Sequence, residues 1–218
     1  MEPEQGLSTE PGRHDFDTLD SRTVYEGAIV ALRVDRVAMP GGVAANREVV
    51  EHHGAVAVVA VDERDRLVLI DQYRHPLGRR IRELPAGLLD AAGEDPVDAA
   101  RRELAEETGL AADTWSVLVD VAVSPGFTDE AIRVYLATGL TVVDRPDPEH
   151  EEADLEITRV SVDDAVAQAL SGEIVNATAL AGILALAALR AGGGTEGRPV
   201  DSPWPDRPTA FDRRGDGS

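Results

Sequence analysis

The sequence predicts a mixed α/β sandwich preceded by a small antiparallel β unit. Three observations carry that expectation: apolar, β-branched runs stand on both sides of one short helical stretch, two further helical stretches follow them, and an alternating segment stands apart before the first apolar run. At 218 residues the chain can build a core of ordinary size in one or two domains.

Residues 1 to about 20 are polar and rich in Glu, Asp, Gly and Pro, and read as a disordered lead-in. From Thr23 to Val37 β-branched and alternating stretches are broken at Gly27. Pro40-Gly41-Gly42 then turns the chain into a second strand, Arg47 to His52. A few strands cannot bury both faces alone. This unit, residues 21–53, must therefore lean on the following domain or on a second copy of the chain, and a homodimer is the expected use.

Ala55 to Val61 and Leu67 to Tyr73 are apolar runs separated by the polar turn Asp62-Glu63-Arg64-Asp65, which predicts a buried hairpin. Strands return at Trp115 to Val123 and Ala131 to Thr138, joined by Ser124-Pro125-Gly126-Phe127-Thr128-Asp129-Glu130. An acidic loop follows from Asp144 to Asp154, then a short strand near Leu155 to Val160. Ser161 with Asp164 caps a helix that Gly172 closes. Asn176 caps the last helix, Ala177 to Arg190, which is apolar nearly all round and so belongs in the core or at a subunit contact. The main domain is thus expected over 54–191. A Gly- and Pro-rich tail over 192–218 follows it, with Trp204 and Phe211 able to dock on the body.

The chain is organised around the stretch Gly87 to Leu110, GLLDAAGEDPVDAARRELAEETGL. Pro96 suits a first helical turn and Gly109 a helix stop. Glu103 and Glu107 then lie one turn apart, with Glu106 beside them, while Val97, Ala100 and Leu104 form a separate stripe that can pack inward and leave the acids at the rim. Like charges at this spacing repel by a few tenths of a kcal/mol per pair. A helix selected for stability alone would not gather them, whereas a hard cation such as Mg²⁺ would remove the conflict.

Composition excludes several classes of function. The formal net charge is −20 and all 21 cations are arginine, a surface that repels nucleic acid. A phosphate ligand would have to be drawn by local charge, either a bound metal or a few arginines. With no cysteine there is no disulfide, thiolate metal site or cysteine nucleophile. The acidic N-terminus has no apolar core of a signal peptide, and Ala177 to Leu189 is short of the roughly 20 residues that cross a bilayer. A cytoplasmic protein with neither nucleic-acid nor membrane partners is expected.

The order Arg102-Glu103-Leu104, Glu106-Glu107, Gly109-Leu110, with seven residues between Glu94 and Arg102, resembles the Nudix box of the Nudix hydrolases. Six residues separate Gly87 from Glu94 rather than the usual five, and the extra residue falls in the loop that holds Ala91, Ala92 and Gly93. Beyond the box, Pro125 lies 15 residues past Leu110. The segments REVVEH (Arg47 to His52), QYRH (Gln72 to His75), ELPAGLLD (Glu83 to Asp90), SPGFTDE (Ser124 to Glu130) and EEAD (Glu151 to Asp154) also resemble the ADP-ribose pyrophosphatase branch of that family, in its actinobacterial type. The resemblance implies the Nudix α/β/α sandwich and hydrolysis of ADP-ribose to AMP and ribose 5-phosphate. It also implies Mg²⁺, with Mn²⁺ a possible substitute, and a homodimer in which Arg47 reaches the partner's site.

A diphosphate resists water because its anionic oxygens repel the nucleophile, and metal ions answer this by neutralising charge and lowering the pKa of bound water. The expected metal ligands are Glu103, Glu106, Glu107 and, by resemblance, the carbonyl of Ala86. By resemblance the base is Glu152, with Glu151 second; Arg47 and Glu48 hold the adenine end, Arg74 a phosphate, and Ser124, Gly126 and Glu130 the terminal-ribose side, with Leu88 also lining the pocket. Two rivals remain open: a hydrolase of another nucleoside diphosphate-linked compound, and a Nudix-fold regulator that holds ADP-ribose without cutting it. Retention of all the box acids argues against the second.

Overall fold

The structure is a computed structural model that describes residues 12–91, 93–145 and 154–215. The chain divides into two compact units, one of Met1–His53, Ser124–Glu130 and Pro208–Ser218, the other of Gly54–Val123 and Ala131–Arg207.

The first unit is built on an antiparallel sheet, β1 (Thr18–Glu26), β2 (Val30–Met39) and β3 (Val43–His52) in that order. Strand β1 starts at Thr18, inside the span expected to be lead-in, because it pairs from Thr18 onward with β2. Every residue of β1 is exposed. The polar residues buried here are paired: Asp35 accepts from Ser21 and Arg33, and Glu51 from Arg33 and Arg214.

The second unit is a mixed α/β sandwich, as the sequence predicts. Its four-stranded sheet has the order β7 (Ala86–Leu88), β4 (Ala55–Ala60), β9 (Ala131–Val142), β8 (Leu110–Ala122), with β4 and β9 parallel and the other pairs antiparallel. A three-stranded antiparallel sheet has the order β10 (Glu156–Ser161), β5 (Arg66–Arg74), β6 (Arg79–Glu83). All six residues of β4 are buried, and their alternation explains why. Ala57 and Val59 enter one core with Ile183 and Leu186 of the helix α3 (Ala177–Ala191), while Val56, Val58 and Ala60 enter a second core with Ala99, Ala100 and Leu104 of the helix α1 (Pro96–Thr108). A strand covered on both faces must be apolar throughout.

Two expectations are corrected here. The runs at Ala55–Val61 and Leu67–Tyr73 do not form a hairpin: after a single bridge, Val61 to Leu67, β4 and β5 part into different sheets. Two apolar runs around a polar turn look the same whether they pair or face each other across a core. Strands β6 and β7 were not foreseen, since Arg79-Arg80-Ile81-Arg82-Glu83 is too charged, and Ala86-Gly87-Leu88 too short, to read as strand.

The remaining helices follow their caps. Ser161 Oγ accepts the Asp164 N–H at 3.1 Å to open α2 (Val162–Ser171), and Asn176 Oδ1 accepts the Ala179 N–H at 2.8 Å to open α3. Despite its apolar composition α3 buries only one face, and Leu184 stays 40% exposed.

Candidate active site

Helix α1 runs from Pro96 to Thr108 and ends at Gly109, whose φ of 66° and N–H to the Ala105 carbonyl make the expected stop. Ala99, Ala100 and Leu104 are buried and Val97 is packed beside them, so the apolar stripe sits against the sheet. The extra residue before the helix is taken up where Gly93 adopts a φ of 78° and the Glu94 N–H donates to Ala91 O at 3.1 Å.

The acids do not all stay at the rim. Glu106 keeps 30% of its side-chain surface and Glu103 12%, but Glu107 as a residue is only 5% exposed. The reason is a bond to the neighbouring strand: the Ala86 N–H donates to Glu107 Oε2 at 2.9 Å. A buried carboxylate needs such a donor. Next to it, a Cβ on Gly87 would lie 1.9 Å from Glu103 Cδ, so the absence of a side chain at Gly87 is what lets Glu103 lie along β7. Helix and strand thus bring together Ala86, Glu103 and Glu107, with Leu88 two residues along the same strand.

Arg102 is the counter-ion of this group. Its guanidinium grips Glu94 with two bonds of 3.1 Å and donates to Glu103 at 2.6 Å and Glu106 at 3.0 Å. The Glu94 bonds, with Glu103 and Glu106 after them, hold its pKa well above the usual arginine range despite partial burial. Arg145 adds a bond to the Glu106 carbonyl at 2.7 Å, at the helix end where a cation is favoured. Among the described residues no three acids are already gathered as a metal cluster, because Arg102 holds Glu103 and Glu106 and the strand holds Glu107. The donor set itself, carboxylates beside a strand backbone, is the hard-oxygen kind that suits Mg²⁺.

Arg74, expected to hold a phosphate, ends β5 and makes a fork-to-fork pair with Glu83 at 2.8 and 2.7 Å. Glu83 is 3% exposed. This partner was not singled out from the sequence because it depends on β5 pairing with β6, which the charged sequence of β6 hid.

The other expected substrate residues lie in the first unit. Arg47 and Glu48 are exposed on β3, and the Arg47 guanidinium donates to Asn46 O at 3.0 Å. The segment Ser124–Glu130 is laid against the same strand: the Val50 N–H donates to Phe127 O at 2.8 Å and the His52 N–H to Asp129 Oδ1 at 3.0 Å. Ser124 O accepts the Phe127 N–H at 3.1 Å, and the Glu130 N–H donates to Thr128 Oγ1 at 3.1 Å. A Cβ on Gly126 would meet nothing within 4 Å. Burial pushes the Asp129 carboxyl up and the His52 imidazole down. Glu151 and Glu152 lie outside the described residues.

A helix that sets glutamates beside a strand backbone, inside an α/β/α sandwich, makes a carboxylate site of the kind that suits a divalent metal. A model of the NUDIX domain matches residues 51–181, and one of the nucleoside diphosphate sugar hydrolase N-terminal domain matches residues 16–50. The ADP-ribose pyrophosphatase of Mycobacterium tuberculosis is 55% identical over 92% of this chain and 97% of its own length. The ADP-ribose pyrophosphatase of Bacillus subtilis is 38% identical over 73% of this chain and 86% of its own, and the methanol dehydrogenase activator of Bacillus methanolicus 40% over 68% and 80%. A solved structure described as an ADP compounds hydrolase superposes with a TM-score of 0.69 at 22% identity, covering 84% of this chain and 98% of that one, a likeness of fold. The chain belongs to the NUDIX family, whose members generally work with a divalent metal. No helix among the described residues is long and apolar enough to cross a membrane.

Proposed function

We propose that the protein hydrolyses the diphosphate linkage of ADP-ribose, giving AMP and ribose 5-phosphate. The observation that carries this reading is the 55% identity to an ADP-ribose pyrophosphatase over nearly the whole of both chains, with Glu103, Glu106 and Glu107 on α1 and Glu94 in the loop before it. Mg²⁺ is the proposed metal and Mn²⁺ its substitute. Glu103, Glu106, Glu107 and the Ala86 carbonyl would hold it, and when bound it would neutralise phosphate charge and acidify a water.

The chain's own groups do the rest. The Ala86 N–H orients Glu107, and the bare backbone of Gly87 admits Glu103. Arg102 balances the acids and keeps its two-bond grip on Glu94 when Glu103 and Glu106 are engaged elsewhere. Glu152 takes the water's proton, with Glu151 as the second candidate. Arg74 contacts a phosphate, its fork steadied by Glu83. Arg47 and Glu48 hold the adenine end and Ser124, Gly126 and Glu130 the terminal-ribose side, and Leu88 is a further substrate-binding residue.

The β unit over 21–53 is the proposed dimerisation element of a homodimer acting in the cytoplasm, ahead of a hydrolase domain over 54–191. Support comes from β1, where Leu19, Val24 and Tyr25 are 57%, 51% and 59% exposed. Exposed apolar side chains grouped on one strand mark an interaction surface.

One second reading has an observation in its favour. The match of residues 16–50 to a nucleoside diphosphate sugar hydrolase domain favours a broader set of nucleotide-linked sugars. Comparing kcat/KM for ADP-ribose with that for a panel of such compounds, in Mg²⁺ at pH 7–9, decides between them. Failure to release AMP from ADP-ribose anywhere in that range ends the first reading.

A further inference from the structure

The geometry points to residues 197–207, which lie beyond both matched family models, as a strap that positions the acidic helix, with Trp204 as its positioning residue. The proposal rests on the reading of α1 as the metal-holding helix.

The strap is built into the sheet rather than resting on it. Arg198 bridges Val117 of β8 by two backbone hydrogen bonds of 2.7 and 2.8 Å, and the Gly197 N–H donates to Ser116 Oγ at 2.9 Å. A Cβ on Gly197 would lie 2.2 Å from the Val117 carbonyl oxygen, so the approach requires glycine. Farther along, Arg133 of β9 donates to the carbonyls of Ser202 and Pro203 at 2.8 and 3.0 Å and lies under the Trp204 ring at 4.8 Å. Asp120 ties the ends together, accepting from Arg133 and from Arg198 at 2.7 Å each.

The face it covers is the one that carries α1. Ile132, Val134 and Leu136 of β9 belong to the core on the α3 side, whereas Tyr135 and Ala137 belong to the α1 side. Alternation therefore puts Arg133 on the α1 face. There a 3% exposed guanidinium replaces an apolar side chain, and the strap supplies what its burial requires. Val200 and Trp204 pack on the cluster that contains Ala100 and Leu104, and they share a cavity of about 540 Å³ with Pro96 and Val97 of the first turn of α1. Trp204 Nε1 is buried and finds no hydrogen-bond partner among the described residues, so the ring acts through packing. Removing it opens a wall beside the turn that sets the register of α1. That register fixes Glu107 on Ala86 and Glu103 on Gly87.

The test uses Mn²⁺ binding to the full-length protein, read by electron paramagnetic resonance, together with kcat at saturating metal. Both are measured well below the melting temperature of each variant. Trp204→Ala is expected to weaken Mn²⁺ about tenfold, in line with losses at supporting residues of metal sites, and Trp204→Phe to recover most of it. Should Trp204→Ala not fold, Arg198→Ala, which releases one ion pair at the surface, is expected to weaken Mn²⁺ to a smaller degree. A folded variant that melts earlier but binds Mn²⁺ and turns over as the wild type does would overturn the proposal. Wild type that binds no Mn²⁺ would remove the metal reading itself, and the strap's role with it.

Discussion

Replacing Gly87 by alanine separates activity from stability in a way the geometry makes quantitative. The added Cβ would stand 1.9 Å from Glu103 Cδ, 2.0 Å from Oε1 and 2.4 Å from Cγ, where ordinary contact begins at 3.4 Å. Glu103 must therefore retreat by about 1.5 Å, three times the roughly 0.5 Å within which a working constellation is held. It can do so by rotating its own side chain, because no backbone atom is among the three nearest contacts. Gly87 also lacks a positive φ, so alanine suits the backbone and narrows the unfolded ensemble, worth about 0.4–1 kcal/mol in favour of folding. The expected result is a melting temperature within a few degrees of wild type, with kcat for ADP-ribose down by about 100-fold, roughly 2.7 kcal/mol of barrier. Thermal melts followed by circular dichroism and initial rates at saturating Mg²⁺ measure the two. Near-normal kcat in Gly87→Ala would show that the position of Glu103 against β7 is irrelevant to turnover, and the account of the site would fall with it.

Glu107→Gln keeps an oxygen for the Ala86 N–H and so should fold, while losing metal affinity and activity together; equal Mn²⁺ titrations in the two proteins contradict this. Glu152→Gln should bind metal as wild type does and lose mainly kcat, which a metal titration beside steady-state kinetics checks. Arg74→Ala strands the buried Glu83 carboxylate, costing about 1–3 kcal/mol in denaturant unfolding and raising KM; an unchanged KM would leave Arg74 a structural ion pair only. In acid, burial alone would raise Asp35, Glu51 and Asp120, but hydrogen bonds from Ser21 and Arg33, from Arg214 and Arg33, and from Arg133 and Arg198 outweigh it and hold all three below their ordinary values. Their folded pKa values are thus depressed. The stability they contribute is present above the ordinary carboxylate values near 4 and is lost as pH falls through the depressed ones. Asp120→Asn should therefore flatten the stability curve below pH 4, and a curve as steep as wild type there would refute the assignment.

What the sequence made legible was local and periodic. The ends of α1, α2 and α3 follow from Pro96 and Gly109, Ser161 and Gly172, and Asn176, because a cap acts on residues three or four away. The acid face of α1 follows from its spacing. What stayed hidden depends on pairing between distant segments. The apolar runs of β4 and β5 gave no sign that they part into opposed sheets, and the charged β6 concealed the strand that presents Glu83 to Arg74. Likewise Glu107 reads as one more rim acid until the strand at Ala86 is in place to bury it.

Arg102 shows the same division at a single residue. From the motif it is one arginine among four glutamates; in the fold it is the common partner of Glu94, in the loop before α1, and of Glu103 and Glu106 on the helix. The Arg102 side chain is 34% exposed and those of Glu94, Glu103 and Glu106 are 20%, 12% and 30%, so each pair contributes only about 0.2–1 kcal/mol. That is comparable to the repulsion of the acids and too weak to keep them from a better partner. A stronger clamp would have sealed Glu103 and Glu106 into a structural salt bridge. A modest one would leave two carboxylates of α1 available to a divalent cation in the proposed site. The two-bond grip on Glu94 would hold Arg102 in position if it gave up the other two.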